Sequence, residues 1–227
     1  QIEDSIWEEA VAIMAWHDLS YTGDIIRLAK NCKIIVRIGV GYDNVDLAFA
    51  GNMGIPVCNV PDYGTEDVAD HAIALLTNLF RGVTLCDNKL RRNVSVNWDW
   101  STAGKLTRIA GATLGIVGLG RIGTAVALRA KALGMKILFC DPYIPDGYDK
   151  ALGIERAETF DDLLEHSDAI SLHVPLTDET QEMANENFFQ KMKKDGYFVN
   201  VSRGGLVDLD ALTKSLRDGR LRGAGLD

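Results

Sequence analysis

Short apolar runs alternate with segments of helical spacing along most of the chain. In the first quarter, apolar runs predict strands at residues 10–16, 33–38 and 55–60. Helical spacing predicts short helices at residues 1–10, 24–31 and 46–52. Strands that alternate with helices are typical of a parallel sheet with helices packed on it. This pattern predicts an α/β lobe at residues 1–64.

A long helix is predicted to follow this lobe, with Thr65 as its N-cap. Glu66 and Asp67 fall in its first turn, where the helix dipole favours acidic side chains. Apolar residues cover much of its circumference, so the helix is expected to be largely buried. We interpret residues 65–83 as a bridge between two lobes.

The remainder, residues 84–227, is predicted to form the second lobe. It opens with a polar segment at residues 84–104 that contains Trp98 and Trp100 and is expected to project as an arm. Beyond it, apolar runs predict strands and helical spacing predicts helices in alternation. The predicted strands are 113–117, 135–140, 169–174, 197–201 and 221–226, and the predicted helices are 121–133, 160–165, 185–192 and 208–219.

A glycine motif stands between the first strand and first helix of this second lobe. Gly118, Gly120 and Gly123 form G-x-G-x-x-G, and Asp141 ends the next strand, 18 residues beyond Gly123. Strand, glycine turn, helix, strand and acid in this order are the dinucleotide-binding fingerprint in its required context. A lone G-x-G-x-x-G is often only a tight turn, so the surrounding elements carry the prediction.

Each part of the motif has a chemical role. Gly118 permits a sharp turn, Gly120 lets a pyrophosphate approach the backbone, and Gly123 lets the helix pack close to the strand. The helix N-terminus offers N–H groups and a positive dipole to phosphates. Asp141 is placed to accept hydrogen bonds from the adenosine ribose, and its charge disfavours a 2′-phosphate. The predicted cofactor is therefore NAD rather than NADP.

Composition and charge exclude several other classes. The chain has 227 residues, a net charge of −8 and 47% hydrophobic residues, as expected for a globular protein with one large or two modest domains. No basic run favours nucleic acid or an anionic membrane, and no apolar run reaches the roughly 20 residues that span a bilayer. The four cysteines form no C-x-x-C pair. We therefore predict reduced, partly buried thiols, a cytoplasmic location and no metal site, with zinc or disulfide use as the alternative.

Three motifs resemble a known family. The chain resembles the D-isomer-specific 2-hydroxyacid dehydrogenases in these motifs. They are the glycine turn with Asp141-Pro-Tyr, the segment at residues 172–177 (LHVPLT) and above all the segment at residues 199–208 (VNVSRGGLVD). Residues 37–46 and 66–71 fit this family too, so the resemblance covers nearly the whole chain. The sequence of residues 128–147 is most similar to the branch that contains the C-terminal-binding proteins, which are co-repressors.

The resemblance implies two Rossmann-like lobes, a flavodoxin-like substrate lobe and an NAD-binding lobe, and it implies specific site residues. Arg203 would bind the carboxylate and C2 oxygen of a small 2-hydroxy or 2-oxo acid, and the backbone of Val40 and Gly41 would hold that carboxylate. An ordinary turn is the alternative at both places. The predicted cofactor contacts beyond the glycine turn and Asp141 are Arg121, Ile122, Val174, Pro175, Thr180, Val201, Ser202, Arg203 and Asp227. Thr65 is either a further phosphate contact or only an N-cap.

The resemblance also implies an acid–base histidine and a glutamate partner, and both would lie beyond Asp227. Of the histidines present, His173 is nearest to the predicted cofactor, and we interpret it as a strand-end or cofactor-lining residue. We therefore expect either a piece of a longer enzyme, with both lobes incomplete, or a truncated form.

Two functions follow from these features. The first is hydride transfer between NAD(H) and a small D-2-hydroxy or 2-oxo acid. The second is a co-repressor-like protein that senses NAD(H), and a truncated form that only binds dinucleotide is a third possibility. The family suggests a homodimer, for which the arm at residues 84–104 is the expected contact.

Overall fold

The computed structural model describes residues 2–92, 101 and 104–227. The chain forms two compact units, Gln1–Gly64 and Thr65–Asp227.

The first unit is a small parallel sheet with helices. Its helices are α1 (Asp4–Glu9), α2 (Gly23–Leu28) and α3 (Leu47–Asn52), and its strands are β1 (Ile13–Ala15), β2 (Ile35–Arg37) and β3 (Val57–Asn59). The strands lie in the order β1-β2-β3, and Ile35 of β2 pairs with Ile13 and Val57 on either side. The Asp46 carboxylate accepts a hydrogen bond from the Phe49 amide at 2.9 Å and so caps α3. The predicted alternation of strands and helices is confirmed in this unit.

The second unit contains a parallel sheet of six strands. The strands are β4 (Thr113–Val117), β5 (Lys136–Cys140), β6 (Glu155–Arg156), β7 (Ala169–Leu172), β8 (Gly196–Asn200) and β9 (Leu221–Leu226). The helices are α4 (Thr65–Arg81), α5 (Val83–Arg92), α6 (Arg121–Ala132), α7 (Tyr148–Leu152), α8 (Phe160–His166), α9 (Glu186–Lys191) and α10 (Leu209–Arg217).

The strand order β6-β5-β4-β7-β8-β9 places the first strand of the unit at the centre of the sheet. From β4 the chain builds outwards to β6 and then returns to β7 on the other side of β4. This is the doubly wound order of dinucleotide-binding folds, and the ligand crevice of such folds lies where the order reverses, at the carboxyl ends of the strands. The predicted α/β class with Rossmann-type parallel sheets is confirmed.

Two layers of helices cover the two faces of this sheet. On one face, α4 and α6 bury Leu76, Phe80 and Val126 against Leu114 and Ile116 of β4. On the other face, α8, α9 and α10 enclose a second core around Phe188, Phe189 and Phe198, whose rings meet edge to face. Because both faces are covered, β7 and β8 are buried along their whole lengths, and most of their residues are apolar.

Differences from the predicted elements are small and have local causes. The helix α4 begins at Thr65 itself, so this residue is the first residue of the helix rather than the one before it. The elements α5, α7 and β6 were not predicted, because they are short or polar and carry little apolar periodicity. The segment around Trp98 and Trp100 lies outside the described residues, and the arm therefore stays a prediction.

The helix α4 packs within the second unit. It contacts α6, β8 and β9, and Arg129 of α6 donates hydrogen bonds to Glu66 and to Asp70 at 2.6 Å. Its predicted role as a bridge stays a prediction. Within the described part of the chain, no helix combines the length and apolar character needed to cross a membrane.

Candidate cofactor and substrate site

The glycine turn begins where β4 ends, at the centre of the sheet. Gly118 has a φ of +88°, which favours glycine, and its amide donates to the Cys140 carbonyl at 3.0 Å. A Cβ atom at Gly118 would lie 2.7 Å from the carbonyl oxygen of His173, which follows the neighbouring strand β7. Backbone strain and close packing therefore both require glycine here.

Gly120 and Gly123 serve different purposes. A Cβ at Gly123 would lie 2.0 Å from the Gly118 carbonyl oxygen, so this glycine allows α6 to start directly against the turn. A Cβ at Gly120 would meet no atom within 4 Å. Gly120 is also the N-cap of α6 and provides no side-chain cap. The first turn of α6, with Arg121 and Ile122, therefore presents backbone N–H groups beside open space, as a pyrophosphate requires.

The Asp141 carboxylate is fixed against the glycine turn. One oxygen accepts a hydrogen bond from the Leu119 amide at 2.8 Å, and the other accepts from the Tyr143 amide at 2.9 Å. These bonds join the end of β5 to the turn after β4. They use about half of the acceptor positions of the carboxylate. Further acceptor positions are therefore available to ribose hydroxyls.

Arg156 of β6 holds the loop that contains Asp141, and the sequence analysis missed it. Its guanidinium donates to the carbonyl oxygens of Asp141 at 3.1 Å, Ile144 at 2.9 Å and Pro145 at 3.2 Å. It also lies 4.8 Å from the centre of the Phe139 ring. No motif signals this role, because the partners are backbone carbonyls 11–15 residues earlier in the chain.

The loop after β7 is closed by Thr180. Its hydroxyl oxygen accepts from the Thr177 amide at 2.8 Å and donates to the Pro175 carbonyl at 2.7 Å. The strand ends at Leu172, so Val174 and Pro175 belong to the loop rather than to the predicted strand. Val174 is half-buried and Pro175 is exposed. Thr180 therefore stabilises this loop through its own hydrogen bonds, and a contact with adenosine would be an additional role.

The turn after β8 is organised by Asn200, a second residue that the sequence analysis missed. Its side chain is buried, accepts from the Ser202 amide at 3.0 Å and donates to the Arg203 carbonyl at 2.8 Å. The Ser202 hydroxyl donates to the Leu172 carbonyl at 3.0 Å, which joins this turn to the end of β7. A buried amide at a strand end inside a recognised motif is the signal that could have revealed Asn200.

Arg203 follows this turn directly. It is partly buried, and its guanidinium donates to the Ser202 carbonyl at 2.7 Å. Val201, by contrast, is 9% exposed and packs within the core. Asp227 follows β9, its amide donates to the Asn200 carbonyl at 3.1 Å, and its carboxylate lies 4.0 Å from Nε2 of His71.

These residues meet at one edge of the sheet. Gly118, Asp141, Val174, Ser202 and Asp227 each follow the carboxyl end of a different parallel strand. Because the strands are parallel, these ends lie along the same edge. The structure thus brings the predicted cofactor contacts of the second unit together on the glycine turn and its neighbours.

His173 forms part of this edge. Its Nε2 lies 2.9 Å from the Ser171 hydroxyl, and its Nδ1 is buried and has no partner among the described residues. Burial lowers the pKa of His173 from 6.5 to about 4. The imidazole is therefore neutral near pH 7, as suits a residue of the crevice wall rather than a proton donor.

In the first unit, the loop that follows β2 contains Val40 and Gly41. The Asn59 side chain donates to the Val40 carbonyl at 2.8 Å, and Arg37 donates to the Ile38 carbonyl. Arg37 is 8% exposed, and its Nε has no partner among the described residues. A cation within an otherwise apolar strand is the sequence signal that could have revealed Arg37. It supplies positive charge beside a loop predicted to hold a carboxylate.

All four cysteines are free thiols in the structure. Cys32 is buried and Cys86 and Cys140 are half-buried, but the prediction of partial burial is wrong for Cys58, which is exposed on a short edge strand. Burial, with a smaller effect of Asp141, raises the pKa of the Cys140 thiol. Among the described residues, no group of three or more His, Cys, Asp or Glu side chains could hold a metal ion.

The low pKa of His173 predicts a specific pH dependence of stability. The unfolded chain binds a proton at His173 below pH 6.5, whereas the folded protein does so only near pH 4. Stability should therefore fall as the pH drops through this window, by on the order of 3 kcal/mol in total. Urea denaturation at pH 7 and pH 5 should show a smaller loss for His173→Gln than for the wild-type protein. His166→Gln, at an exposed position, is the control, and an equal loss in all three proteins would contradict the burial of His173.

Comparisons with known proteins agree with this geometry. The family model for the NAD-binding domain of D-isomer-specific 2-hydroxyacid dehydrogenases matches residues 73–227. The chain is 38% identical to C-terminal-binding protein 1 of Caenorhabditis elegans, over all of the chain and 32% of that protein. It is 44% identical to glyoxylate reductase of Korarchaeum cryptofilum, over 90% of the chain and 61% of that protein. The chain therefore spans about a third and three-fifths of the lengths of these two relatives.

Solved structures show the same fold. D-lactate dehydrogenase from Aquifex aeolicus, complexed with NAD and lactic acid, has a TM-score of 0.93 and 32% identity over all of this chain and 67% of its own. NAD-dependent formate dehydrogenase from Staphylococcus aureus, in complex with NAD, has a TM-score of 0.87 and 33% identity over 99% of this chain and 66% of its own. With its glycine turn, its acid at the end of β5 and its strand order, the chain belongs to the D-isomer-specific 2-hydroxyacid dehydrogenase family and contains its NAD-binding domain.

Proposed function

We propose that the protein transfers hydride reversibly between NAD(H) and C2 of a small D-2-hydroxy or 2-oxo acid. The observation that carries this proposal is the open space at Gly120, beside the first turn of α6 and the fixed carboxylate of Asp141. The relatives named as a glyoxylate reductase and a D-lactate dehydrogenase support this substrate class.

The cofactor of the family domain is NAD, and the residues of the turn fit it. The backbone amides at Arg121, Ile122 and Gly123 would receive the pyrophosphate, because α6 directs its positive dipole towards the space at Gly120. Asp141 would accept hydrogen bonds from the ribose hydroxyls. Its two bonds to backbone amides keep the carboxylate in place, so a 2′-phosphate would meet a fixed negative charge.

The other cofactor contacts are proposed from the family resemblance, and they lie on turns and loops at the same edge. Val174, Pro175 and Thr180 would border adenine and its ribose, and Val201, Ser202, Arg203 and Asp227 would border the nicotinamide. Since the side chain of Val201 packs in the core, this residue would contribute its backbone. NADH bound at this edge would supply the hydride, and these residues would hold the cofactor and the substrate in place.

Arg203 is proposed to bind the substrate carboxylate and the C2 oxygen. A guanidinium presents parallel N–H donors that match a carboxylate. The turn built by Asn200 and Ser202 fixes its backbone at the carboxyl edge of the sheet. By binding both groups, the Arg203 guanidinium would orient C2 for hydride transfer, and this orientation would be its contribution to catalysis.

The first unit has a candidate carboxylate cradle of its own. The backbone of Val40 and Gly41 follows β2, and buried Arg37 lies beside it without a carboxylate partner among the described residues. A buried cation favours a nearby anion, because it gains Coulomb energy that solvent does not screen. We therefore keep Val40 and Gly41 as proposed substrate contacts.

A second candidate function is an NAD(H)-responsive binding protein. The observation that favours it is the match to C-terminal-binding protein 1 over the whole of this chain. In this case NAD(H) would stabilise a homodimer. We also propose a homodimer for the enzyme. Peptide binding and dimerisation that respond to NADH, without turnover of any 2-oxo acid, would favour this candidate.

The glycines of the turn provide a test of the cofactor site. Gly120→Ala adds a methyl group to open space and should leave stability within about 0.5 kcal/mol of wild type, yet weaken NADH binding about tenfold or more by blocking the pyrophosphate. Gly123→Ala should destabilise the protein by about 1–3 kcal/mol, because its Cβ meets the Gly118 carbonyl. Urea denaturation and NADH fluorescence titration measure both effects. Normal NADH affinity in Gly120→Ala would contradict the assignment.

Asp141 is tested by cofactor preference. Asp141→Asn keeps an acceptor for the Leu119 amide but removes the charge. We expect NADH binding to weaken and the preference for NADH over NADPH to fall by about tenfold. Titration of both cofactors into wild type, Asp141→Asn and the control Asp218→Asn, at an exposed position, measures the ratio. An unchanged ratio would refute the ribose assignment.

The reaction is tested with the protein produced from its full reading frame. NADH oxidation with glyoxylate, hydroxypyruvate and related 2-oxo acids should proceed, and Arg203→Gln should lower kcat/KM by about 100-fold or more with little change in NADH affinity. Arg217→Gln, at an exposed position on α10, is the matched control. Absence of turnover with every acid, despite NADH binding, would contradict the enzyme proposal.

A further inference from the structure

A cavity lies at the edge of the six-stranded sheet opposite the glycine turn. It has a volume of about 360 Å³ and lies where the loop at residues 104–108 meets the amino ends of β7, β8 and β9. We call it the amino-edge cavity. The glycine turn and Asp141 follow the carboxyl ends of the strands, so the two sites are on opposite sides of the unit.

The side chains that line this cavity are unusually basic for this protein. Five cations, Lys105, Arg108, Lys193, Lys194 and Arg222, face two acids, Asp168 and Asp195. Five positive charges against two negative charges leave a local charge of +3, whereas the whole chain carries −8. The field in the cavity therefore favours an anion.

Asp168 is already committed to structural bonds. One carboxylate oxygen accepts from the Thr113 amide at 2.8 Å, and the other accepts from the Lys193 ammonium at 2.9 Å. This acid neutralises Lys193 and ties the start of β4 to the turn before β8. It therefore offsets only one of the five cations.

Asp195 is held less closely. Its carboxylate lies 3.6 Å from the Lys105 ammonium and 3.8 Å from the Arg222 guanidinium, which are longer than hydrogen bonds. Both cations can thus still direct N–H groups towards a ligand. Arg108 and Lys194 are exposed, and neither side chain has a hydrogen bond or ion pair among the described residues.

Two hydroxyl groups add neutral donors. The hydroxyls of Thr107 and Tyr197 lie 3.1 Å apart, and the Arg222 guanidinium donates to Thr107 at 3.2 Å. Since hydroxyl groups rotate, either one can donate to a ligand oxygen. Tyr197 is buried, so its hydroxyl is held at a fixed place on the wall of the cavity.

We propose that the amino-edge cavity binds a small phosphate-bearing anion, separately from NAD. Phosphate oxygens accept several charge-assisted hydrogen bonds at once, and the planar fork of arginine and the ammonium of lysine both suit them. The cavity supplies ammonium, guanidinium and hydroxyl donors from three different segments of the chain. It is too small, and the rest of the chain too acidic, to favour a nucleic acid.

The test is calorimetric titration of inorganic pyrophosphate into the full protein saturated with NAD, so that the glycine turn is occupied. We expect one further site, with affinity that falls about tenfold or more in the double variant Arg108→Glu, Lys194→Glu. Both residues are exposed, so folding should be preserved, and NADH titration of the variant checks this. Lys33→Glu, an exposed change in the first unit, is the matched control.

Three results would overturn the proposal. These are absence of pyrophosphate binding to the NAD-saturated wild-type protein, equal affinity in the double variant and the Lys33→Glu control, and binding that occurs only when NAD is left out. The last result would assign the anion to the cofactor turn. The same titration with inorganic phosphate shows whether the cavity requires two phosphoryl groups or binds one.

Discussion

The position of α6 in the second unit depends on the glycine turn by which the backbone leaves the central strand β4. Gly118 turns with a positive φ, Gly123 brings α6 against the Gly118 carbonyl, and Asp141 accepts a hydrogen bond from the Leu119 amide. These three contacts fix the N-terminus of α6 over the point where the strand order reverses. A side chain at Gly118 or Gly123 would force the helix away, and the dipole would no longer point at the space beside Gly120.

The loops of this edge are tied to one another by polar contacts rather than by apolar packing. Asn200 shapes the turn that contains Ser202 and Arg203, and Ser202 joins this turn to the end of β7. Arg156 holds the loop of Asp141 through three carbonyls. Such contacts restrict the movement of the candidate binding groups, which the orientation of a ligand requires.

Much of this arrangement could be predicted from the sequence because its physics is local. Thr113–Val117 is a buried strand, Gly134 terminates α6, and Asp208 caps α10 through its own turn, and each depends on residues nearby in the chain. Arg156 could not be found in this way, because its partners are backbone carbonyls 11–15 residues away in the chain that only the fold brings close. Asn200 and Arg37 bond to backbone groups within three residues, and a buried polar side chain in an apolar strand is the signal that could have revealed them. The amino-edge cavity likewise has no sequence motif, because the fold brings its cations together from three segments.

The central claim is that α6 and Asp141 together receive a dinucleotide. Its most direct test is a crystal structure of the protein with NAD. The account predicts that the pyrophosphate lies over Gly120 at the first turn of α6, with both hydroxyls of the adenosine ribose within hydrogen-bonding distance of the Asp141 carboxylate. Density for NAD elsewhere on the protein, or an empty turn in crystals grown at saturating NAD, would contradict it.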